Sequence, residues 1–595
     1  MPQSYANLVQ IYRDSCQRFA DRNLFGYKTE GGWQWMTYRE FGQRVDEARA
    51  GLAALGVSAG DRVAIIADNQ VDWAVACYAT YGLCATFVPM YEAQQPDEWR
   101  FILQDAGAKV VLAATSSIVD KVEAQRHEIP SLEHVIGLDL ASDHEHAFDA
   151  VIARASSSRI APAEPEPNVI AGFIYTSGTT GRPKGVICSH RNLASNLNAI
   201  REVFPLDVGE RTLSFLPWAH SFGQVCELHY GVSSGCEIAI NDEIPHLVEN
   251  LAVVRPTLLV AVPRIFNRIY DGVRGQISEK PSVLQKMFWD GIDAATRRSR
   301  GERVGLVRGL ELKLDDKLIF SKIREKFGGR LKFVISGSAA LNPDVADFID
   351  ALGIVVYEGY GLSETSPVVS ANYPGCRKPG SVGKPLPGVR VVIDTSVTRD
   401  PQEGEIVVYG PNVTRGYHNR PDENAKLFTD DGGLRTGDLG HLDETGYLFV
   451  TGRIKDQYKL ENGRYVMPTH LEEELKLSPY ISNAMLYGAN RPYNVALVVP
   501  DRAAIQDWAR ERGHALGELD EDPAVRELLS KELVAHAKNF KRYETPRDFI
   551  IAREEFTTDN DLLTPTLKVK RRNALELYRE PLEQLYQREQ RLRAV

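Results

Sequence analysis

The length, composition and charge of the chain already exclude several classes of protein. It has 595 residues, which is too many for one hydrophobic core and predicts two or more domains. Its 43% hydrophobic and 25% charged residues are typical of a soluble globular protein, and no apolar run approaches the roughly 18 residues of a membrane span. The net charge of −10 argues against general nucleic-acid binding, so an anionic ligand requires local basic groups.

Two features favour a cytoplasmic location. Residues 1–5 lack the basic and apolar regions of a secretory signal. The seven cysteines are scattered without a Cys-x-x-Cys pair, which is typical of reduced thiols. The sequence leaves open a peripheral association with the inner face of a membrane. It does not decide between a monomer and a homodimer.

Short apolar runs alternate with helical stretches over the first half of the chain. A capping-box pattern at Thr37 and Glu40 predicts a helix that extends to Leu55. A Ser/Pro/Ala-rich connector at 156–167 separates two such blocks, and residues 271–330 are mostly helical in pattern. This rhythm predicts an α/β protein with largely parallel strands, near residues 63–66, 88, 110–112, 135–136, 169–174, 212–216, 237–240, 258–262 and 331–335.

The texture changes after residue 380. Short β runs at 389–393 and 405–409 alternate with turns, and 443–446 has the composition of a hairpin turn. This predicts a small β-barrel or an antiparallel sheet. Residues 453–595, with a strong strand at 494–499, form a separate α+β unit. We therefore expect a large N-terminal domain, 1–452, with two α/β subdomains and a small β-barrel-like subdomain, and a smaller C-terminal domain, 453–595.

The segment 175–185, Tyr-Thr-Ser-Gly-Thr-Thr-Gly-Arg-Pro-Lys-Gly, has the composition of a phosphate-binding loop. Backbone N–H groups, hydroxyls and a lysine can surround phosphate oxygens. The spacing differs from a Walker loop, and Pro183 disfavours a helix directly after the second glycine. The alternative is an ordinary turn between a strand and a helix. The candidate phosphate ligands are Thr176, Ser177, Gly178, Thr179, Thr180, Gly181 and Lys184.

Three more motifs follow in order. They are Tyr-Glu-Gly-Tyr-Gly-Leu-Ser-Glu-Thr-Ser at 357–366, Thr-Gly-Asp at 436–438 and Gly-Arg-Ile-Lys-Asp at 452–456. Together with the loop, they resemble the adenylate-forming family of acyl-CoA synthetases, nonribosomal adenylation domains and firefly-type luciferases. The resemblance extends over roughly residues 21–575. It implies that a carboxylate attacks the α-phosphate of ATP, that pyrophosphate leaves, and that a thiol then displaces AMP.

The resemblance also assigns roles to individual residues. Thr176 to Lys184 would hold the β- and γ-phosphates, and Thr176 and Glu364 would bind Mg²⁺, a cation that prefers oxygen ligands. The alternative for Glu364 is a solvated loop acid. The remaining nucleotide-binding positions are Gly337, Ser338, Ala339, Glu358, Gly359, Tyr360 and Gly361.

Several further side chains receive roles from the resemblance, and most of them have a structural alternative. Tyr360 would stack on adenine opposite 337–339, although a tyrosine is more often a core residue. Thr365 would donate to the α-phosphate. Asp438 would accept from the ribose hydroxyls beside Arg453, and the alternative is a surface ion pair. His220 matches a histidine beside the acyl site, where a purely structural role is the alternative. Trp218 either packs near the acyl channel or fills the core.

The family also places a catalytic lysine on a late loop of a mobile C-terminal lid. Lys568 aligns best, but Leu567 replaces the usual glycine, which leaves Lys570 open as the alternative. The lid rotates between the two chemical steps, and by position Lys455 is the hinge. Lys459 would then reach the phosphates of the nucleotide.

The segment 459–468, Lys-Leu-Glu-Asn-Gly-Arg-Tyr-Val-Met-Pro, is similar to the long-chain fatty acyl-CoA synthetase branch. We therefore expect a medium- to long-chain fatty acid, ATP, Mg²⁺ and CoA to be the ligands. A fatty acyl-AMP ligase that loads a carrier protein and an aryl-CoA ligase are alternatives. A non-catalytic nucleotide- or acyl-CoA-binding protein is an alternative of another class. The acyl chain length is not readable from these residues.

Overall fold

A six-stranded sheet forms the centre of the N-terminal half. The computed structural model describes residues 3–155, 157–176, 182–299, 320–337, 341–398, 401–564 and 566–594. Five strands of this sheet are parallel and the sixth is antiparallel, which confirms the largely parallel arrangement expected from the apolar runs. In spatial order the strands are His134–Gly137, Val110–Ala113, Arg62–Ile66, Thr86–Met90, Ile170–Thr176 and Lys184–Ser189.

Two further sheets complete the α/β part. A four-stranded sheet, which is antiparallel only at its edge hairpin, has the order Gly32–Thr37, Asn23–Thr29, Glu237–Ile240 and Arg211–Ser214. A five-stranded sheet begins with three parallel strands and ends with two antiparallel ones. Its order is Leu258–Ala261, Phe333–Ser336, Val355–Gly361, Val368–Ala371 and Lys384–Pro385.

Helices cover these sheets. The capping box is present: Thr37 Oγ1 accepts from the Glu40 N–H at 3.2 Å, and the Glu40 carboxylate accepts from the Thr37 N–H at 2.7 Å. The helices are Leu8–Arg18, Tyr38–Ala54, Val71–Tyr81, Pro96–Ala106, Ser116–Gln125, Phe148–Arg154, His190–Val203, Ser221–Gly223, Tyr230–Ser234, Leu247–Val254, Pro263–Ser278, Ser282–Ser299, Ser321–Lys326 and Pro343–Ala351, with a π-helical turn at Gln224–His229.

The α/β part has two separate apolar cores, as two subdomains require. One surrounds the six-stranded sheet and includes the fully buried Trp73, Phe87 and Trp218. The other lies against the five-stranded sheet and includes Phe288 and Phe348. Trp218 contacts Phe25 and Trp73 with ring centroids 5.8 and 5.6 Å apart, so it fills the core rather than lining an acyl channel.

The segment after residue 380 forms a four-stranded antiparallel sheet, one of the two forms expected for it. Its order is Arg390–Asp394, Gly404–Tyr409, Leu434–Leu442 and Leu448–Arg453. The predicted hairpin turn joins the last two strands. Asp443 Oδ1 accepts from the N–H groups of Thr445 and Tyr447, both at 2.9 Å, and Gly446 adopts a φ of +81°.

The C-terminal part is an α+β unit with apolar clusters on both faces of a three-stranded sheet. Strand Asn494–Pro500 is buried along its whole length, and its residues alternate between the two clusters. The sheet order is Ile481–Tyr487, Asn494–Pro500 and Pro546–Ile551. A short hairpin, Tyr458–Lys459 and Tyr465–Val466, precedes it, and the helices are Pro468–Leu475, Arg502–Glu511, Pro523–Ala537 and Arg571–Ala594. Across the described residues, the helices fall short of the combined length and apolarity that a membrane span needs.

Candidate active site

The phosphate-loop candidate joins two antiparallel strands. Thr176 and Lys184 are register partners at its two ends. The chain continues as a strand to Ser189, and a helix begins only at His190, as the Pro183 argument predicts. The element after the turn is a strand, not the helix that the alternative of an ordinary strand-to-helix turn assumed, and the phosphate role of the turn stays a prediction. Ser177, Gly178, Thr179, Thr180 and Gly181 lie outside the described residues.

Tyr417, which the sequence analysis missed, contacts both Lys184 and Glu364, two of the predicted phosphate-site and Mg²⁺-site residues. The Tyr417 hydroxyl donates to Glu364 Oε1 at 2.6 Å, and the Lys184 ammonium lies 5.4 Å from the centroid of the Tyr417 ring. Lys184 also forms an ion pair with Glu423. Tyr417 therefore contacts both Lys184 and Glu364 and brings these two residues near each other. No sequence motif marks Tyr417, because its contacts are made across the fold.

Tyr360, Asp438 and Arg453 form one hydrogen-bonded group. The Tyr360 hydroxyl donates to one oxygen of Asp438 at 2.7 Å, and Arg453 Nε donates to the other at 2.7 Å. Asp438 is 7% exposed, and strand pairing sets it opposite Arg453. The Asp438 carboxylate is buried, whereas the Arg453 side chain is 51% exposed, so the pair lies at the protein surface with one partner buried and the ribose role of Asp438 stays a prediction. Tyr360 is held at its hydroxyl end, which leaves the ring free to form a wall.

The Tyr360 ring lines an apolar pocket between the five-stranded sheet and the segment that begins at His220. The pocket is narrow, with a cavity volume of about 70 Å³. Its lining is mostly apolar, which suits contact with a hydrocarbon group. The lining residues are Ile200, Val203, Phe204, His220, Ser221, Phe222, Cys226, Tyr230, Ile335, Gly337, Tyr357, Gly359, Tyr360, Gly361, Leu362, Pro367, Val368, Ala371, Asn372 and Leu386.

His220 lies where this pocket meets the polar site. Its Nδ1 accepts from the Phe222 N–H at 3.2 Å, so the neutral ring carries its proton on Nε2. Burial and, to a smaller extent, the charge of Lys568 lower the pKa of His220 to about 4. The imidazole is therefore neutral near pH 7 and can donate a hydrogen bond without adding a charge.

The structure brings Lys568 to the site and places Lys570 elsewhere. Burial lowers the pKa of the Lys568 ammonium, Arg453 lowers it too, and Asp438 opposes both. Lys568 is exposed to solvent, so water weakens the effect of burial on the pKa of its ammonium. Lys570 forms ion pairs with Asp561 and with Glu98. Of the two lysines that the sequence left open, Lys568 therefore has the geometry of an active-site group.

The architecture and the sequence match one family along almost the whole chain. A family model described as AMP-binding enzyme matches residues 12–418, and the model of the AMP-binding enzyme C-terminal domain matches residues 455–590. The chain belongs to the AMP-binding enzyme family.

Curated relatives and solved structures agree with this assignment. The chain is 33% identical over 575 residues to long-chain-fatty-acid–CoA ligase FadD15 of Mycobacterium bovis, with 94% of each protein covered. It is 32% identical to the peroxisomal long chain acyl-CoA synthetase 7 of Arabidopsis thaliana, over 98% of this chain and 86% of that protein. The adenylation domain of a carboxylate reductase from Mycobacterium chelonae superposes with a TM-score of 0.79 at 25% identity, over 98% of this chain and 91% of that one.

One predicted site residue of this AMP-binding enzyme is buried. The Thr365 hydroxyl lies 2.6 Å from the Pro367 carbonyl oxygen and 2.9 Å from the Leu362 carbonyl oxygen, and it can donate to either. The contact of Thr365 with an α-phosphate stays a prediction. Ser363, which the sequence analysis did not single out, lies nearer the pocket, with its Oγ 3.0 Å from Ser221 Oγ.

The remaining predicted residues of the enzyme occupy varied positions. Burial raises the pKa of Glu358 to about 7, while Arg377 opposes this shift. Lys455 is exposed in the turn after strand Leu448–Arg453. The Lys459 ammonium lies 5.8 Å from the centroid of the Tyr465 ring. The hinge and phosphate roles of these lysines stay predictions, and Ser338 and Ala339 lie outside the described residues.

The two predicted protein ligands are too few to hold Mg²⁺ alone, so the ion would also need phosphate oxygens as ligands. Thr176 and Glu364 offer a hydroxyl and a carboxylate, the donor types that this cation prefers. Within the ranges that the structure describes, no group of three or more His, Cys, Asp or Glu side chains could hold a metal. The residues therefore fit a cation that takes most of its ligands from substrate phosphates and water.

Proposed function

We propose that this AMP-binding enzyme is an ATP-dependent ligase for medium- to long-chain fatty acids. It activates the acid as acyl-AMP and transfers the acyl group to CoA, so that the products are acyl-CoA, AMP and pyrophosphate. The observation that carries the proposal is that the charges of Lys568, Asp438 and Arg453 act on one another and that the charge of Lys568 also acts on His220, which lines an apolar pocket. The printed names of relatives that match nearly the whole chain support the same reaction.

Adenylation is a problem of bringing anions together. The carboxylate oxygen of the fatty acid forms a bond to the α-phosphorus as the bond to the pyrophosphate oxygen breaks. Lys184, once released from its ion pair with Glu423, and Lys568 would supply positive charge to this reaction, and the neutral His220 can donate to the carboxylate. Fixed charges in a partly desolvated cleft stabilise the developing charge better than water does.

Mg²⁺ would reduce the repulsion between the phosphates and the incoming carboxylate when it is bound. Thr176 and Glu364 would supply its protein ligands, with the remaining positions filled by phosphate oxygens and water. The Tyr417 hydroxyl donates to Glu364, which fixes the direction of that carboxylate. Loss of this hydrogen bond should therefore weaken the use of Mg²⁺ more than the binding of the fatty acid.

The second step requires the thiol of CoA to reach the acyl carbon. The sulfur forms the thioester bond while the bond to the AMP oxygen breaks. We propose that residues 453–595 rotate as a lid about the turn at Lys455, so that Lys568 leaves and the thiol enters. The exposed position of Lys455 next to Arg453 supports this hinge.

Product analysis tests the substrate and the acceptor together. The purified enzyme is incubated with ATP, Mg²⁺ and straight-chain acids from acetate to arachidate, and with benzoate, and CoA or a phosphopantetheinylated carrier protein is added. Mass spectrometry should detect CoA thioesters of medium and long acids. Thioesters of benzoate alone would indicate an aryl-CoA ligase. Acylation of the carrier alone would indicate an acyl-AMP ligase.

Absence of acyl-AMP and thioester with every acid would indicate a binding protein and would contradict the proposal. Reactions without ATP are the control. The cytoplasmic location and the choice between monomer and homodimer stay predictions, which fractionation and light scattering can test. Peripheral attachment to a membrane is tested by sedimentation with lipid vesicles.

A further inference from the structure

The segment that carries Lys568, whose described residues are 557–564 and 566–570, is a unit held by internal hydrogen bonds. Leu563 and Val569 pair across it, the Thr564 N–H donates to the Lys568 carbonyl at 2.8 Å, and the Lys568 N–H donates to Thr564 Oγ1 at 3.1 Å. Lys570 adds a further contact within this unit, an ion pair with Asp561. Because the turn is internally fixed, the position of Lys568 depends on how the whole unit contacts the N-terminal half.

Two contacts join this unit to one end of helix Pro96–Ala106. The Lys570 ammonium lies 3.5 Å from Glu98 Oε1, and Gln95 Nε2 lies 3.4 Å from the Thr558 carbonyl oxygen. Both N-terminal partners are in or just before the first turn of the helix. The Lys570 and Glu98 side chains are 20% and 25% exposed, so salt and water screen this pair less than a surface pair.

The helix end makes Glu98 necessary for this contact. The N-terminus of a helix carries partial positive charge, which would repel the Lys570 ammonium. The Glu98 carboxylate reverses the sign of that local field. Asp97 does not replace it, because its side chain is 79% exposed and pairs with Arg100. Without Glu98, the docked unit loses the attraction between Lys570 and Glu98, and the positive end of the helix repels the Lys570 ammonium.

We propose that Lys570 is a positioning residue, which docks the Lys568 turn on Glu98 and so holds the lid in the arrangement that activates the acid. This inference rests on the proposed function, because it assumes that adenylation and thiol transfer use different lid positions. Lys570 then acts through Lys568 and does not touch the substrate. Only the first half-reaction depends on it.

The two half-reactions separate this role from a general structural one. Lys570→Met and Glu98→Gln should each slow acid-dependent ATP–pyrophosphate exchange by roughly three- to tenfold, the range for a partly buried ion pair. Conversion of supplied acyl-AMP and CoA into acyl-CoA should not fall. The double variant should be no slower than the slower single variant, because both remove the same contact. Lys570→Arg should retain exchange, which a catalytic lysine would not permit.

Lys531→Met is the matched control. It removes the same charge from an exposed pair with Glu527 within one helix of the C-terminal unit, and it should leave both half-reactions unchanged. Thermal unfolding of each variant verifies folding. The inference is overturned if Lys570→Met leaves exchange unchanged, if exchange and thiolysis fall together, or if the two single losses multiply in the double variant. A wild-type enzyme that activates no acid would instead reject the proposed function.

Discussion

Leu567 holds the backbone of the Lys568 turn in the left-handed region, at a φ of +60°. Its N–H donates to the Thr564 carbonyl at 2.8 Å, so the turn enforces this conformation. A residue with a side chain is disfavoured there by about 1–2 kcal/mol. This backbone strain lies at Leu567, directly before Lys568.

Substitutions at position 567 should therefore affect adenylation according to backbone preference. Leu567→Gly should retain or increase the rate of pyrophosphate exchange, because glycine tolerates positive φ. Leu567→Ile should reduce it by roughly tenfold, since a β-branched side chain is the least compatible with this region. Exchange assays at saturating ATP and acid measure both. Equal rates for the two variants would show that the backbone at this position does not control Lys568.

Glu227 is a buried carboxyl group that should make the free energy of unfolding depend on pH. It lies in the π-helical turn Gln224–His229, where its carboxyl accepts from Ser214 Oγ at 2.5 Å. Its other oxygen is buried, and none of the residues that the structure describes offers it a hydrogen bond. Burial raises the pKa of Glu227 from 4.5 to about 8, so the folded protein keeps this group protonated at neutral pH.

The sign of the effect of pH on stability follows from the number of protons bound to Glu227 in the folded and the unfolded state. Between pH 4.5 and about 8 the folded state holds a proton on Glu227 that the unfolded state has lost, so this group destabilises the fold as pH rises. Glu227→Gln mimics the protonated form. Its free energy of unfolding relative to wild type should increase with pH in that window, by at most about 1.4 kcal/mol per pH unit. Urea denaturation at several pH values measures it, and a constant difference would contradict the assignment.

The sequence singled out Tyr360, Asp438 and Arg453, and the fold joins these three by hydrogen bonds. They could be singled out because each stands in a motif whose charge or ring has few structural uses, and their roles toward the nucleotide stay predictions. Thr365 could not be resolved in this way. Ser363–Thr365 is a single helical turn, and only the folded backbone decides which hydroxyl faces the pocket.

At the scale of elements, the start of helix Arg571–Ala594 fixes the turn that precedes it. Arg571 forms an ion pair with Glu472, and Arg571 Nη1 donates to the Leu486 carbonyl at 3.3 Å. The Glu472 side chain is only 11% exposed, and it also accepts from the Leu486 N–H at 2.6 Å. The pair therefore joins the last helix to the sheet of the C-terminal unit.

Removal of one partner should destabilise this unit strongly. Glu472→Ala leaves the Arg571 guanidinium poorly compensated, which typically costs about 3–5 kcal/mol. The adjacent exposed pair supplies the comparison, because Glu576→Ala removes the i,i+4 partner of Arg572 and should cost no more than about 0.5 kcal/mol. Chemical denaturation of both variants measures the difference. Similar losses would mean that Arg571 finds another partner.

Apolar runs predicted the strands of the sheets well, because a buried parallel strand needs continuous apolar residues. They did not predict that Lys184–Ser189 is a strand, since a glycine-rich loop precedes strands and helices alike. The same limit applies to Tyr417. Its contacts with Lys184 and Glu364 join segments that are far apart in the chain, and periodicity within one segment carries no information about them.

At the scale of the whole molecule, the C-terminal unit lies against the N-terminal half through several polar contacts. His470 Nε2 lies 2.6 Å from the Thr451 carbonyl oxygen, and Asn342 Nδ2 donates to Glu474 at 2.5 Å. Polar contacts of this kind suit an interface that opens and closes. The sequence predicted two units from a change in texture, but their relative placement depends on such side chains and was not predictable from it.

A comparison of the two half-reactions in Lys568→Ala tests most directly whether this lysine completes the site for activation of the acid. Wild-type enzyme in single turnover should form acyl-AMP from ATP and a long-chain acid. The variant should form it at least about 100-fold more slowly, as for loss of a main charge-stabilising group. It should still convert supplied acyl-AMP and CoA into acyl-CoA at a near-normal rate. Equal loss of both reactions, or loss of neither, would contradict the account.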